Sequence, residues 1–171
     1  MKKTFRLVYL SLLIAQSLVL FLLEGLLPLP FLAPGAKLGL ANLVTIAALY
    51  TLPSAYDVLL IVLVRTLLAS LFGGGPTVFC YSIAGGLVSL SFMLLLKRCS
   101  LFSVIGISAA GGFFHNAGQL LAAMLIMQSM ELAGYFPILG TCGTATGILI
   151  GFLANFLLHK LPRTVLSPHT K

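Results

Sequence analysis

Charged residues are scarce along this chain, and that scarcity restricts the possible folds more than any other feature. Lys, Arg, Asp and Glu make up 8% of the 171 residues, while hydrophobic residues make up 60%. Soluble domains usually contain about 25% charged residues, so this number of charges cannot cover a surface that faces water. The composition excludes a soluble fold and a disordered chain, and it predicts a polytopic membrane protein.

The length limits how many helices can cross the membrane. A membrane-spanning helix uses roughly 20 residues, so six helices need about 120 residues and leave about 50 for loops and ends. We expect an all-α, single integral membrane domain over residues 1–171, with about six transmembrane helices and no soluble domain. Apolar runs and helix-breaking residues place these helices near 7–27, 38–52, 53–72, 77–96, 101–127 and 138–159. The first run is longer than the apolar core of a cleaved signal peptide, which favours a retained helix.

The basic residues predict the orientation of the bundle. With the N-terminus inside, one side collects eight of them and the other side has only Lys37; the eight are Lys2, Lys3, Arg6, Lys97, Arg98, Lys160, Arg163 and Lys171. Cytoplasmic loops carry an excess of Lys and Arg, so both termini are expected in the cytoplasm. This asymmetry also accounts for the net charge of +7 without a nucleic-acid partner.

Polar residues inside the expected spans are the candidates for ligand contact. Such residues usually face the interior of a bundle or a cavity, because exposure to hydrocarbon is costly. His115 and Gln119 share one face of the fifth helix, and Asn116 lies beside them. The alternative is a hydrogen-bonded polar seam that only holds helices together.

Three further candidates fall in the outer half of the expected bundle. Lys37 and Asn42 begin the second helix, and Arg65 lies in the third. With the group on the fifth helix they predict a polar cavity open to the outside, in which Lys37 or Arg65 supplies positive charge. Lys37 could instead be an interfacial anchor, and Arg65 could pair with Glu24. Asp57 reads more readily as a helix-start acid than as a proton carrier.

Small residues at four-residue spacing predict close helix contacts. Gly143, Gly147 and Gly151 form a stripe on the sixth helix, and Ser11 and Ala15 make one such step on the first. Such stripes let helix backbones approach closely in lipid. They could pack inside the bundle or against another chain.

Several kinds of catalytic site are not found in the sequence. There is no phosphate-binding G-x-x-x-x-G-K-[ST] motif, and the segment 73–76 (GGGP) lacks its lysine. The acids Glu24, Asp57 and Glu131 are never adjacent or one helical turn apart, whereas Mg²⁺-dependent diphosphate chemistry needs clustered carboxylates. The three cysteines form no zinc motif and are expected to be unpaired. We expect no catalytic residue, no metal and no cofactor, and therefore no enzyme.

Four segments together resemble a known family. They are 34–43 (PGAKLGLANL), 65–73 (RTLLASLFG), 82–86 (SIAGG) and 112–119 (GFFHNAGQ). In this order they resemble the Gx transporter family, also described as heptaprenyl diphosphate synthase component I, over roughly residues 7–158. That family is similar in size and helix count to the substrate-binding S components of energy-coupling factor transporters. The resemblance implies a multi-pass protein of the bacterial plasma membrane.

The resemblance leaves three functions open. An S component would bind a vitamin or related small molecule and work with a transmembrane coupling subunit and two cytosolic ATPases. The older family name implies a non-catalytic partner of a soluble prenyl diphosphate synthase. A stand-alone proton-coupled transporter would need Glu24 or Asp57 as a titrating carboxylate. The absence of a nucleotide site and the expected outer cavity favour the substrate-binding transport subunit among these interpretations.

Overall fold

A computed structural model of the protein describes residues 3–26, 39–73, 75–99 and 101–161. These residues form six α-helices and one short 3-10 helix, and no strand occurs among them. The elements are α1 (Lys3–Leu26), α2 (Leu40–Thr51), α3 (Ala55–Gly73), α4 (Gly75–Arg98), α5 (Val104–Met127), the 3-10 helix (Met130–Tyr135) and α6 (Phe136–Lys160). The all-α prediction is confirmed.

The helices differ in their ability to cross a membrane. By length and composition, α1, α3, α4 and the 3-10 helix with α6 are candidate spans. Helix α5 has 24 residues, but polar side chains in its middle lower its hydropathy. Helix α2 has only 12 residues. At about 1.5 Å per residue it is much shorter than the roughly 30 Å hydrocarbon core. The architecture is that of a polytopic membrane protein in which α2 does not cross alone.

Helix α2 lies at the centre of the bundle. It contacts α1, α3 and α6, and its residues 44–51 are all buried. Four isoleucines from four different helices are at most 1% exposed; they are Ile46, Ile61, Ile107 and Ile150. A helix that is apolar on every side is stable only when other helices surround it, so α2 forms the core on which the longer helices pack.

Helix α5 meets α6 along a seam of glycines. A Cβ atom on Gly112 would lie 2.1 Å from the carbonyl oxygen of Gly143, and one on Gly147 would lie 2.6 Å from the carbonyl oxygen of Ser108. A Cβ atom on Gly151 would lie 2.8 Å from Ile105 Cα. The predicted stripe on α6 thus packs against α5 of the same chain, as small residues do in lipid.

Charged side chains gather at one end of the bundle, here called the basic end. Arg6 of α1 forms a two-pronged ion pair with Asp57 in the first turn of α3. The Lys97 ammonium of α4 donates to the carbonyl oxygen of Leu49 and lies 5.0 Å from the centre of the Tyr50 ring. Lys97 therefore satisfies a carbonyl in the last turn of α2. The positive-inside argument predicts that the basic end faces the cytoplasm.

Candidate functional site

A polar cavity lies inside the bundle and is lined by residues of all six helices. Its volume is about 80 Å³. The polar lining comprises Ser17, Glu24, Asn42, Arg65, Thr66, Ser82, Ser89, Ser108, His115, Asn116, Gln119 and Thr146. Apolar and glycine residues such as Ile46, Gly112 and Ile150 complete the wall. A polar space of this size can hold several water molecules or one small polar group.

Arg65 supplies the positive charge of the cavity. It lies in the middle of α3 and is 9% exposed. Its Nη2 donates to Asn42 Oδ1 at 3.0 Å, while its Nε has no hydrogen-bond partner among the described residues. A guanidinium only donates, so Asn42 must turn its oxygen toward Arg65, and its amide NH₂ is then directed elsewhere. Arg65 and Asn42 together present more donors than acceptors.

Glu24 is engaged by α2 rather than by Arg65. Its two carboxylate oxygens accept hydrogen bonds from the backbone N–H groups of Gly39 at 2.7 Å and Leu40 at 3.0 Å. Glu24 is 5% exposed and thus acts as a buried N-terminal cap supplied by another helix. Among the described residues, no Arg65–Glu24 contact within 4 Å forms. The Arg65–Glu24 ion pair that the sequence left open is therefore not a direct contact. The two charges interact through space instead.

The α5 residues enter the cavity beside α4 and α6. Asn116 is buried, and its Nδ2 donates to the carbonyl oxygen of Leu139 at 2.8 Å. A Cβ atom on Gly85 of α4 would lie 2.6 Å from Gln119 Cγ and 3.2 Å from His115 Cε1. His115 and Gln119 therefore share the α5 face toward α4, and glycine at position 85 leaves room for them.

The structure brings most of the sequence-predicted ligand residues together. Asn42, Arg65, His115, Asn116 and Gln119 all line the same cavity. Lys37 lies outside the described residues, as do the prolines between α1 and α2.

The small-residue step on α1 lies away from this cavity. Ser11 and Ala15 are exposed, and Ser11 Oγ donates to the Leu7 carbonyl of its own helix at 3.0 Å. The helices that the structure describes leave the Ser11–Ala15 face of α1 uncovered.

The sequence analysis missed several contributors to the cavity. Ser17 Oγ donates to the carbonyl oxygen of Ala41 at 3.3 Å, and Thr66 and Thr146 also line the space. Ser17 and Glu24 are seven residues apart, which places them on one face of α1 and was a usable signal. The threonines of α3 and α6 gave no such signal, because a threonine can bond to its own helix in any environment.

Asp57 has a different environment from that of a simple helix-start acid. It does lie in the first turn of α3, but it is 3% exposed and accepts from Arg6 Nε at 2.9 Å and from Arg6 Nη2. Glu131 lies exposed on the 3-10 helix. The three acids are thus separated, and the described residues contain no group of three potential metal ligands. The cavity contains hydrogen-bonding side chains, the cation Arg65 and the Glu24 carboxylate that caps α2.

Comparison with known proteins gives one match. No curated protein and no solved structure matches this chain. Residues 13–157, most of the chain, match a family described as heptaprenyl diphosphate synthase component I. The match spans α2 to α5, the second half of α1 and nearly all of α6, and so includes every part of the described cavity. This chain belongs to the heptaprenyl diphosphate synthase component I family.

Proposed function

We propose that this chain is a non-catalytic membrane component that binds a small polar ligand inside its bundle and serves a separate partner chain. The observation that carries this proposal is the buried Arg65, which makes one hydrogen bond to the described residues and leaves its Nε without a partner among them, within a cavity lined by six helices. Burying a charged donor group is costly unless it has partners or a function, and a ligand supplies both.

The partner best supported is a soluble prenyl diphosphate synthase. The family description names one component of such an enzyme, and this agrees with the expectation that the chain is not itself an enzyme. Mg²⁺-dependent diphosphate chemistry needs clustered carboxylates. Here Asp57 is bound to Arg6 and Glu24 is bound to the first residues of α2. In this proposal the catalytic acids belong to the partner, and this chain contributes a membrane anchor and a binding site.

A second candidate is an S-component-like subunit of a small-molecule uptake transporter. The cavity inside the bundle favours it, because a solute carrier needs a site among its helices where polar side chains can contact a ligand. The chain has no nucleotide-binding motif, so separate ATPases would supply energy through a transmembrane coupling subunit. The uncovered Ser11–Ala15 step on α1 would then be a docking position.

A stand-alone proton-coupled transporter is less well supported. It needs a carboxylate that can exchange protons during transport. Both acids within the bundle have fixed structural partners, an arginine for Asp57 and two backbone N–H groups for Glu24. Loss of either proton-binding site would be expected to disturb the fold before it disturbed transport.

The test is purification of the tagged full-length protein from its native membrane in mild detergent, followed by mass spectrometry of the bound proteins. An unrelated tagged membrane protein from the same membranes is the control for background. Specific recovery of a soluble prenyl diphosphate synthase supports the first candidate. Recovery of two ATPases with a membrane coupling protein would overturn it in favour of the second. Recovery of neither set above background would contradict both partner assignments.

A further inference from the structure

The arrangement at the start of α2 determines which kind of ligand the cavity can accept. The Glu24 carboxylate gives one oxygen each to the N–H groups of Gly39 and Leu40. Its charge is therefore stabilised by the positive end of the α2 dipole, in addition to its interaction through space with Arg65. Arg65 has no carboxylate within 4 Å among the described residues, so its own charge has no contact counter-ion there.

Arg65 and Asn42 themselves offer mainly donors to the cavity. A guanidinium has five N–H groups. One bond to Asn42 is formed, and Nε has no partner in the described part of the chain. Because Asn42 Oδ1 already accepts from Arg65, the side-chain group that Asn42 can still offer is its NH₂ donor. A ligand that contacts Arg65 and Asn42 is therefore expected to supply acceptor oxygens.

We propose that the cavity binds an oxyanion, a carboxylate or phosphate group, held by Arg65 with the Asn42 amide. This inference rests on the proposed ligand-binding function and names its ligand class. Arginine matches such groups because its planar fork can donate two parallel hydrogen bonds to them.

The size of the cavity defines how much of the ligand it encloses. Its volume is about 80 Å³, whereas pockets that enclose whole drug-sized ligands measure about 300–1,000 Å³. The enclosed part is therefore a small free anion or the charged end of a longer molecule. A free solute and a lipid-like molecule with a phosphate headgroup share this chemistry, and the choice of probes separates them.

The experiment measures binding to the purified full-length protein in lipid nanodiscs by isothermal titration calorimetry. The probes are inorganic diphosphate, succinate and farnesyl diphosphate. Binding of inorganic diphosphate or succinate at millimolar concentration or below indicates a free anion. Binding of farnesyl diphosphate alone indicates a lipid-borne headgroup. If none of the three binds the wild-type protein, the proposal is overturned.

The variants locate the binding to Arg65. R65Q is expected to weaken binding of the effective probe at least tenfold, and R65K to fall between R65Q and the wild type because it keeps charge but loses the fork. R98Q is the matched control: Arg98 is exposed at the end of α4, so the variant removes the same charge outside the cavity and should bind like the wild type. Equal affinity of R65Q and the wild type would refute the proposal.

A second variant covers the case in which R65Q does not fold. N42L removes the amide donors but leaves the cationic residue in place, and it is expected to weaken binding while eluting as a single species in gel filtration. Unchanged affinity of N42L would contradict the assigned contact. Partner recovery from native membranes is an independent readout. A protein that recovers its partner but binds no oxyanion would refute this inference and leave the proposed partnership standing.

Discussion

Two regions of this bundle hold their helices together by opposite means. Along the α5–α6 seam the backbones approach closely because Gly112, Gly143 and Gly147 have no side chains. Helix α2 is instead held at its ends by charged side chains from other helices, Glu24 at its start and Lys97 at its last turn. Both regions contribute to the cavity, since Asn42 of α2 and Gly112 and Gly147 of the seam line it. The seam supplies close backbone packing, whereas the side of the cavity near α2 holds Arg65, whose Nε has no hydrogen-bond partner among the described residues.

The largest effect is expected from adding a methyl group to the seam. In G112A the new Cβ would lie 2.1 Å from the Gly143 carbonyl oxygen, and backbone atoms cannot move aside as a flexible side chain can. We expect the free energy of unfolding to fall by about 3 kcal/mol or more, the upper end of overpacking effects. The free energy of unfolding is measured by titrating mixed micelles with sodium dodecyl sulfate. Circular dichroism follows the unfolding, because the chain has no tryptophan whose fluorescence could report it.

The matched control for this variant is G25A. Gly25 lies in α1, and a Cβ there meets nothing within 4 Å. Its stability should equal that of the wild type or exceed it slightly, because alanine favours a helix over glycine. If G112A and G25A were equally stable, the close contact between α5 and α6 would be refuted.

The next largest effect should come from removing the cap at the start of α2. E24A leaves the partly buried N–H groups of Gly39 and Leu40 without their acceptors, so the loss should fall near the low end of the range for two buried donors. We expect a loss of about 2–3 kcal/mol, because each buried donor without a partner costs about 1–3 kcal/mol. E24Q keeps one acceptor oxygen and should lose about half as much. The same micelle unfolding assay applies, with E131A as the control, since Glu131 is exposed. Equal stabilities of E24A and E131A would show that the cap contributes nothing.

These two regions also differ in how readily they could be predicted from sequence. The stripe of Gly143, Gly147 and Gly151 is a local pattern at four-residue spacing, so it indicated a helix contact without knowledge of the partner. The contacts of Glu24 with Gly39 and of Lys97 with Leu49 join residues 15 and 48 positions apart. Only the packing of whole helices decides such pairs, and the sequence carries no local signal for them.

The candidate site shows the same division: its residues could be predicted from the sequence, but their contacts could not. Polar residues in apolar runs pointed to Arg65, His115 and Gln119, and the structure places them around one cavity. The partner of each polar group was not predictable. Arg65 could as well have paired with Glu24, and Asp57 gave no indication of its bond to Arg6. The free-energy cost of burial indicates which polar residues need partners. The packing of the helices determines which partner each of them contacts.

A smaller effect is expected at the other end of α2. The side chain of Lys97 is only partly buried, whereas that of Glu24 is 5% exposed. K97M should therefore lower the free energy of unfolding by about 0.5–1 kcal/mol, the range for a cation at a helix C-terminus. R98M is the control, because it removes the adjacent exposed cation from the same helix end. If K97M lost as much free energy of unfolding as E24A, the contacts at the two ends of α2 would contribute equally to stability.

The smallest effect on stability is expected outside both regions, on the uncovered face of α1. Ala15 is exposed there, so A15L should change the free energy of unfolding by no more than about 0.5 kcal/mol. A larger side chain would nevertheless block the close approach of a partner helix at the Ser11–Ala15 step. We therefore expect A15L to fold normally but to recover less of its membrane or soluble partner from native membranes. A145L makes the same change at an exposed position of α6 and should recover the partner like the wild type. Equal recovery by A15L and A145L would place partner contact elsewhere, whereas selective loss in A15L would separate a docking face on α1 from the ligand cavity beside α2.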